Sequence, residues 1–148
     1  MTAKRLLFFS LITAISSSGC MTGNDISVSE ETSAGLETNQ VFELRTYTAA
    51  EGKFDDLLDR FRDHTLRIFE KHGMINVGYW TPQDEPLSAN TLIYMLAHPS
   101  REAAEQSWRD FSSDPEWQSV AEESQTDGRL IMGLERVFLN PTDFSPMR

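Results

Sequence analysis

The chain has 148 residues, enough for one ordinary domain with tails and too few for two full domains. Its 13 Lys+Arg against 23 Asp+Glu give a net charge of −10, which excludes the positive footprint that nucleic acid or bare anionic lipid requires. The 39% hydrophobic and 24% charged composition is that of a globular protein, and a single cysteine rules out both an internal disulfide framework and a thiolate metal cluster.

Residues 1–19 read as a signal peptide. Lys4 and Arg5 precede a ten-residue apolar run, Leu6 to Ile15, followed by the small residues Ser16 to Gly19. As a helix that run would rise about 15 Å, half of the roughly 30 Å needed to cross a bilayer. Cys20 directly after Ser18-Gly19 resembles a bacterial lipobox. The resemblance implies that Cys20 is lipidated and becomes the mature N-terminus. Met21 after it, rather than Asp, implies an outer-membrane destination facing the periplasm in a diderm host. The alternative is ordinary secretory cleavage with an incidental cysteine. Residues 20–40 hold four acids (Asp25, Glu30, Glu31, Glu37), no Lys or Arg and no aromatic residue. Such a stretch buries too little apolar surface to offset chain entropy and is expected to be a disordered tether.

The domain is expected over 41–140, with 141–148 as a C-terminal tail. Val41 to Thr48 is β-branched and aromatic with alternating character, a strand. Phe54, Leu57, Leu58, Phe61, Thr65, Ile68 and Phe69 repeat at helical spacing, and Gly73 supplies the left-handed residue that stops that helix. Ile75 to Thr81 predicts a second strand, Pro82 to Pro86 a turn, and Thr91 to His98 a third strand. Pro99-Ser100 opens a second helix with Ala104, Ser107, Trp108 and Phe111 inward. Asp114-Pro115 combines an N-cap residue with a proline at the first helical position and starts a short helix that turns Trp117, Val120 and Ala121 inward. Leu130 to Leu139 is the last strand.

The order β-α-β-β-α-β is that of an α+β, ferredoxin-like fold, a four-stranded antiparallel sheet with its helices on one face. The strands are apolar on both sides. Leu92, Tyr94 and Leu96 oppose Ile93, Met95 and Ala97, and Leu130, Met132 and Leu134 oppose Ile131, Gly133 and Val137. Helices cover only one of those faces, so a second copy is expected on the other, making a homodimer.

The motifs Glu43-Leu44-Arg45-Thr46-Tyr47, Val77-Gly78-Tyr79-Trp80 and Asp114-Pro115-Glu116-Trp117, with Asn90 before the third strand, occur in an order that resembles the NIPSNAP family across residues 41–139. The resemblance implies a dimeric α/β barrel in which two ferredoxin-like subunits pack sheet to sheet. It supplies no established catalytic set. Relatives in that superfamily include monooxygenases, haem proteins and plain ligand carriers, and fold alone does not choose among them. His98 stands where the family more often shows an aromatic residue.

On the first strand, alternation is read with Phe42 and Leu44 under the helices and Glu43, Arg45 and Tyr47 toward the space between sheets. Those three form either a structural ion pair or a polar anchor for a ligand in an apolar cleft. Tyr79, Trp80, Asn90 and His64 complete the candidate pocket residues, with one of Tyr79 and Trp80 facing the cavity. His64, three after Phe61 and four before Ile68, flanks the buried side of its helix, as a core-edge residue, a base or a haem ligand. His64 and His72 stand about 12 Å apart along a helix, too far to chelate one metal. Asp55, Asp56 and Asp59 read as a solvated helix face, and no metal site is expected. No zinc-protease, serine-hydrolase or nucleotide-binding motif occurs in the sequence. The function that follows is a dimeric module that binds a small apolar ligand or serves as a scaffold. The alternatives are a cofactor-free or haem-dependent oxygenase-like enzyme and a purely structural dimer. No cofactor is implied, with haem as the one option.

Overall fold

Strand β1 (Val41–Ala49) pairs antiparallel on both edges, with β3 (Thr91–His98) on one side and β4 (Ile131–Leu139) on the other. Strand β2 (Ile75–Trp80) pairs with the far edge of β3, so the sheet order is β2-β3-β1-β4. β1 and β2 run the same way with β3 between them, the split arrangement of a ferredoxin-like fold. This computed structural model describes residues 40–148. The signal-peptide, Cys20 and tether readings lie outside the described residues.

The first crossover is helical from Phe54 to Lys71 but not uniformly. α1 (Phe54–Arg60) runs into a π turn (Phe61–Thr65) and then α2 (Leu66–Lys71). The Thr65 hydroxyl donates to the Arg60 carbonyl, five residues back, at 3.1 Å and satisfies an acceptor at the widened turn. An uninterrupted α-helix, at about 100° per residue, would set His64 in the arc of Leu57, Phe61 and Ile68. The wider turn puts Thr65 there, buried, and turns His64 out to solvent. The expectation of a core-edge His64 is therefore corrected. The helix ends as predicted at Gly73, whose φ is +74°: Gly73 N–H donates to the Glu70 carbonyl and Met74 N–H to the Phe69 carbonyl, each at 3.0 Å.

Both later helices begin with the caps read from the sequence. Ser100 Oγ accepts from the Ala103 amide at 3.1 Å to start α3 (Arg101–Ser113), and Asp114 Oδ1 accepts from the Glu116 amide at 2.9 Å to start α4 (Pro115–Glu123). Asp114 also receives Lys71 Nζ at 2.7 Å and His72 Nε2 at 2.6 Å, tying the start of α4 to the end of α2. Hydrogen bonds from Lys71 and His72 hold the Asp114 carboxyl below the usual range.

The core lies between the helices and one face of the sheet. Phe61, Phe69, Tyr47 and Tyr94 meet edge-to-face or stacked, with Leu57, Ile68, Leu92, Leu96 and Phe111 around them. Leu92, Tyr94 and Leu96 share that face, and Ile93, Met95 and Ala97 the other, as predicted. On β1 the expected parity is reversed. Glu43, Arg45 and Tyr47 face the helices, while Phe42 and Leu44 lie on the open face. Phe42 is nonetheless buried there, because the tail at residues 140–147 folds back across it. In β4 the pairing with β1 skips Met132, so Ile131 pairs with Ala49 and packs on the core while Gly133 pairs with Thr48. That bulge breaks the expected grouping of Ile131 with Gly133 and Val137, and it sets Leu134 opposite Tyr47 on the helix side.

Phe69 is 1% exposed and touches four aromatic rings. Phe69→Ala is expected to cost about 3–5 kcal/mol in a denaturant titration, with m unchanged.

Candidate functional site

The i, i+2 spacing on β1 stacks three polar side chains on one face of the strand, and the helices then seal them in. Glu43 Oε1 accepts from Arg45 Nε at 2.8 Å, and Oε2 accepts from Trp108 Nε1 at 2.6 Å and from His98 Nε2 at 3.2 Å. An ionised carboxylate only accepts, so the His98 proton in this bond sits on Nε2. Arg45 Nη1 donates to the Tyr47 hydroxyl at 3.0 Å, and the Arg45 guanidinium lies 3.6 Å from the centre of the Trp108 ring. Glu43 and His98 are closed to solvent, and Arg45 nearly so. Burial pushes the Glu43 carboxyl up, but hydrogen bonds from His98 and Trp108 and the charge of Arg45 outweigh it and hold the pKa at about 2. Among the described residues, the Tyr94 hydroxyl and His98 Nδ1 find no partner. The cluster is thus an ionised network locked inside the domain, on the opposite side of the sheet from the expected inter-sheet space. Its geometry matches the ion-pair alternative.

The other candidate residues are scattered. Tyr79 lies on the helix side, stacked on Tyr94 with centroids 5.4 Å apart, and its hydroxyl donates to Asn76 Oδ1. Burial raises its phenol pKa. Trp80 lies on the open face, 51% exposed, with its ring across Gly78, where an added Cβ would come within 2.6 Å of it. That contact accounts for the glycine in Val77-Gly78-Tyr79-Trp80. Asn90 serves a turn: its carbonyl accepts from the Ala49 amide at 2.8 Å and its side chain accepts from Thr91 Oγ1 at 2.9 Å. His64 stands on the wall of a cavity between the first helix and α4. The structure therefore joins Glu43, Arg45 and Tyr47 and leaves Tyr79, Trp80, Asn90 and His64 in separate places.

Trp108, a packing residue by its helical spacing, and His98, the end of its strand, complete the network. His98 carries a parity signal, since it alternates with Tyr94 and Leu96 on the inner side of β3, whereas Trp108 carries only its place on the inward stripe of α3. Among the described residues, no group of three or more His, Cys, Asp or Glu is placed to hold a metal ion. Two concavities of the described surface bear on binding. One, of about 270 Å³, lies between Phe42, Met95 and Leu139 of the open face and the tail residues Pro141, Ser145 and Met147, and its walls are mostly apolar. The other, of about 390 Å³, is polar and has Arg60 in its wall.

Sheet order, crossovers and helix placement define an α+β protein of ferredoxin-like architecture. The NIPSNAP family model matches residues 42–146, so the chain belongs to the NIPSNAP family. It is similar to two solved NIPSNAP family proteins from Agrobacterium tumefaciens. One is 28% identical, with a TM-score of 0.65, over 74% of this chain and 99% of that one. The other, described as of unknown function, is 25% identical, with a TM-score of 0.65, over 76% of this chain and 96% of that one. A NIPSNAP-like domain protein from Burkholderia xenovorans shares the fold at 19% identity, with a TM-score of 0.64, over 74% of this chain and 90% of that one. No protein of curated function matches the chain.

The depressed Glu43 pKa sets a pH window. A carboxyl lowered in the folded state stabilises above its unfolded pKa of about 4.5, and that stability is lost as pH falls toward about 2. Denaturant titrations from pH 7 to pH 2 are expected to show a Glu43-dependent loss on the order of 3 kcal/mol within that window. Glu43→Gln should lack this component and be less stable at pH 7 by about 3 kcal/mol or more, because Arg45 is left buried without its counter-ion.

Proposed function

We propose that this NIPSNAP-family chain is an exported, lipid-anchored protein that works as a homodimeric binding or scaffolding module and holds a small apolar molecule beside the dimer interface. The observation that carries this reading is the open face of the sheet. All described helices that pack on the sheet do so from its other side, and the open face presents Ile75, Trp80, Val137 and Leu139 as exposed apolar residues beside Leu44, Ile93 and Met95. A contiguous apolar surface of this kind is unstable in water and stable against its own copy across a two-fold axis. The 270 Å³ cavity under the tail opens beside that surface, and its lining of Phe42, Met95, Leu139 and Met147 suits an apolar ligand.

The anchor rests on the sequence: a basic, apolar, small-residue leader ending at Cys20, followed by a polar, acidic stretch that gives the domain reach from a membrane. Met21 supports the outer membrane of a diderm host, facing the periplasm. The net charge of −10 argues against nucleic acid as a partner.

Two measurements test the reading. Sedimentation of the soluble chain lacking residues 1–20 should give a dimer at micromolar concentration, and Met95→Asp or Val137→Lys should shift it to monomer by burying an unpaired charge at the interface. A wild-type chain that stays folded and monomeric contradicts the dimer. Fatty-acid labelling should tag the native protein and fail on Cys20→Ser, and labelling that survives the substitution contradicts the anchor. Mass spectrometry of the purified dimer should find a co-purifying apolar compound that Met95→Asp releases.

A further inference from the structure

The 390 Å³ cavity lies between α1, α4 and the turn that follows α4, and none of its walls belongs to the open sheet face. Arg60, 6% exposed, forms its inner end. Among the described residues the one hydrogen bond of its guanidinium runs from Nη1 to Ser124 Oγ at 3.3 Å, and Nε is buried with no acceptor. The centre of the Trp117 ring lies 5.2 Å from Cζ. Arginine stays protonated inside proteins, and a buried guanidinium with no counter-ion is a costly feature for a fold to keep. Burial accordingly pulls its pKa down.

The rest of the wall carries Asp56, Asp59, Asp63, Glu123 and Asp127 against the single lysine Lys53, and is acidic on balance. Asp56 pairs with Lys53 and Asp59 with Arg62, which leaves Asp63, Glu123 and Asp127 as carboxylates at the mouth with no ion-pair partner among the described residues. A cation at the inner end and carboxylates outside favour a molecule of reversed polarity. The planar donor fork of arginine matches a carboxylate, and exposed carboxylates match an ammonium. A bare metal ion would meet Arg60 first, and an anion without a positive group would have to pass the acids.

We propose that this cavity binds a small amino-carboxylate zwitterion, its carboxylate on Arg60 and its ammonium among Asp63, Glu123 and Asp127. Bound in this way, the ligand supplies the missing counter-ion of Arg60. The site stands on its own geometry and is independent of the dimer and the lipid anchor.

The test is calorimetric titration of the mature chain with glycine, 4-aminobutyrate and 6-aminohexanoate. Matched controls are acetate, butyrate and hexanoate for the acids, and butylamine and hexylamine for the amines. At least one amino acid of the series should bind about tenfold or more tightly than its matched acid and amine, and should change the emission of Trp117. Asp63→Asn combined with Asp127→Asn should weaken that amino acid while leaving the matched acid unchanged. Arg60→Met should abolish binding and raise the melting temperature of the ligand-free chain, because it removes a buried charge that has no partner. Three results would overturn the proposal. They are no binding by any member of the series, equal binding of acid and amino acid, or an Arg60→Met chain that melts lower or fails to fold, which would mark Arg60 as structural.

Discussion

One buried carboxylate holds this domain in register. Glu43 ties its own strand to β3 through His98, to α3 through Trp108 and to its neighbour Arg45, so β1 and a consecutive strand and helix 55 and 65 positions further on converge on two oxygens. Each of those bonds offsets the cost of taking an ionised group out of water, and losing one leaves the others around an incompletely paired charge. The side-chain period of a strand is two, so a one-residue slip of β1 would turn Glu43 and Arg45 out to the open face and Phe42 and Leu44 into the helical layer. The network thus fixes which face of β1 is apolar and outward, and with it the composition of the surface proposed to dimerise.

The elements themselves were readable from local chemistry. Ser100 and Asp114 are cap residues whose side chains bond the helix amides, and Gly73 sits at the positive φ that ends α2. These signals lie within a few residues of one another, as does the alternation of β3. What was not readable depends on partners distant in sequence. Alternation on β1 is equally consistent with either face, and polar residues are ordinarily assigned outward. Only Trp108, 65 positions away, and His98, 55 away, make the inward choice favourable. Spacing misplaces His64 because it assumes a uniform helix, and the π turn widens one turn without changing the hydrophobic pattern. The bulge at Met132 escaped for a similar reason, since apolar residues flank it on both sides.

The chemical character of the molecule follows from this division. Its strongest charges inside the core are spent on one another, which leaves Arg60 as the buried cation without a charged partner among the described residues. Apolar surface is concentrated on the open side of the sheet and polar concavity on the helical side. The two proposed ligands differ accordingly, an apolar compound against the sheet and a zwitterion among the helices. Family membership agrees with the architecture and does not by itself name a ligand.

The central claim is that Glu43 and Trp108 act as one unit across the helix–sheet boundary. A double-mutant cycle measures this directly, with Glu43→Gln, Trp108→Phe and the pair compared by denaturant unfolding at pH 7. The account predicts a coupling energy of about 1–3 kcal/mol. Additivity within about 0.5 kcal/mol would contradict it, and would mean that the carboxylate and the indole are neighbours without energetic consequence.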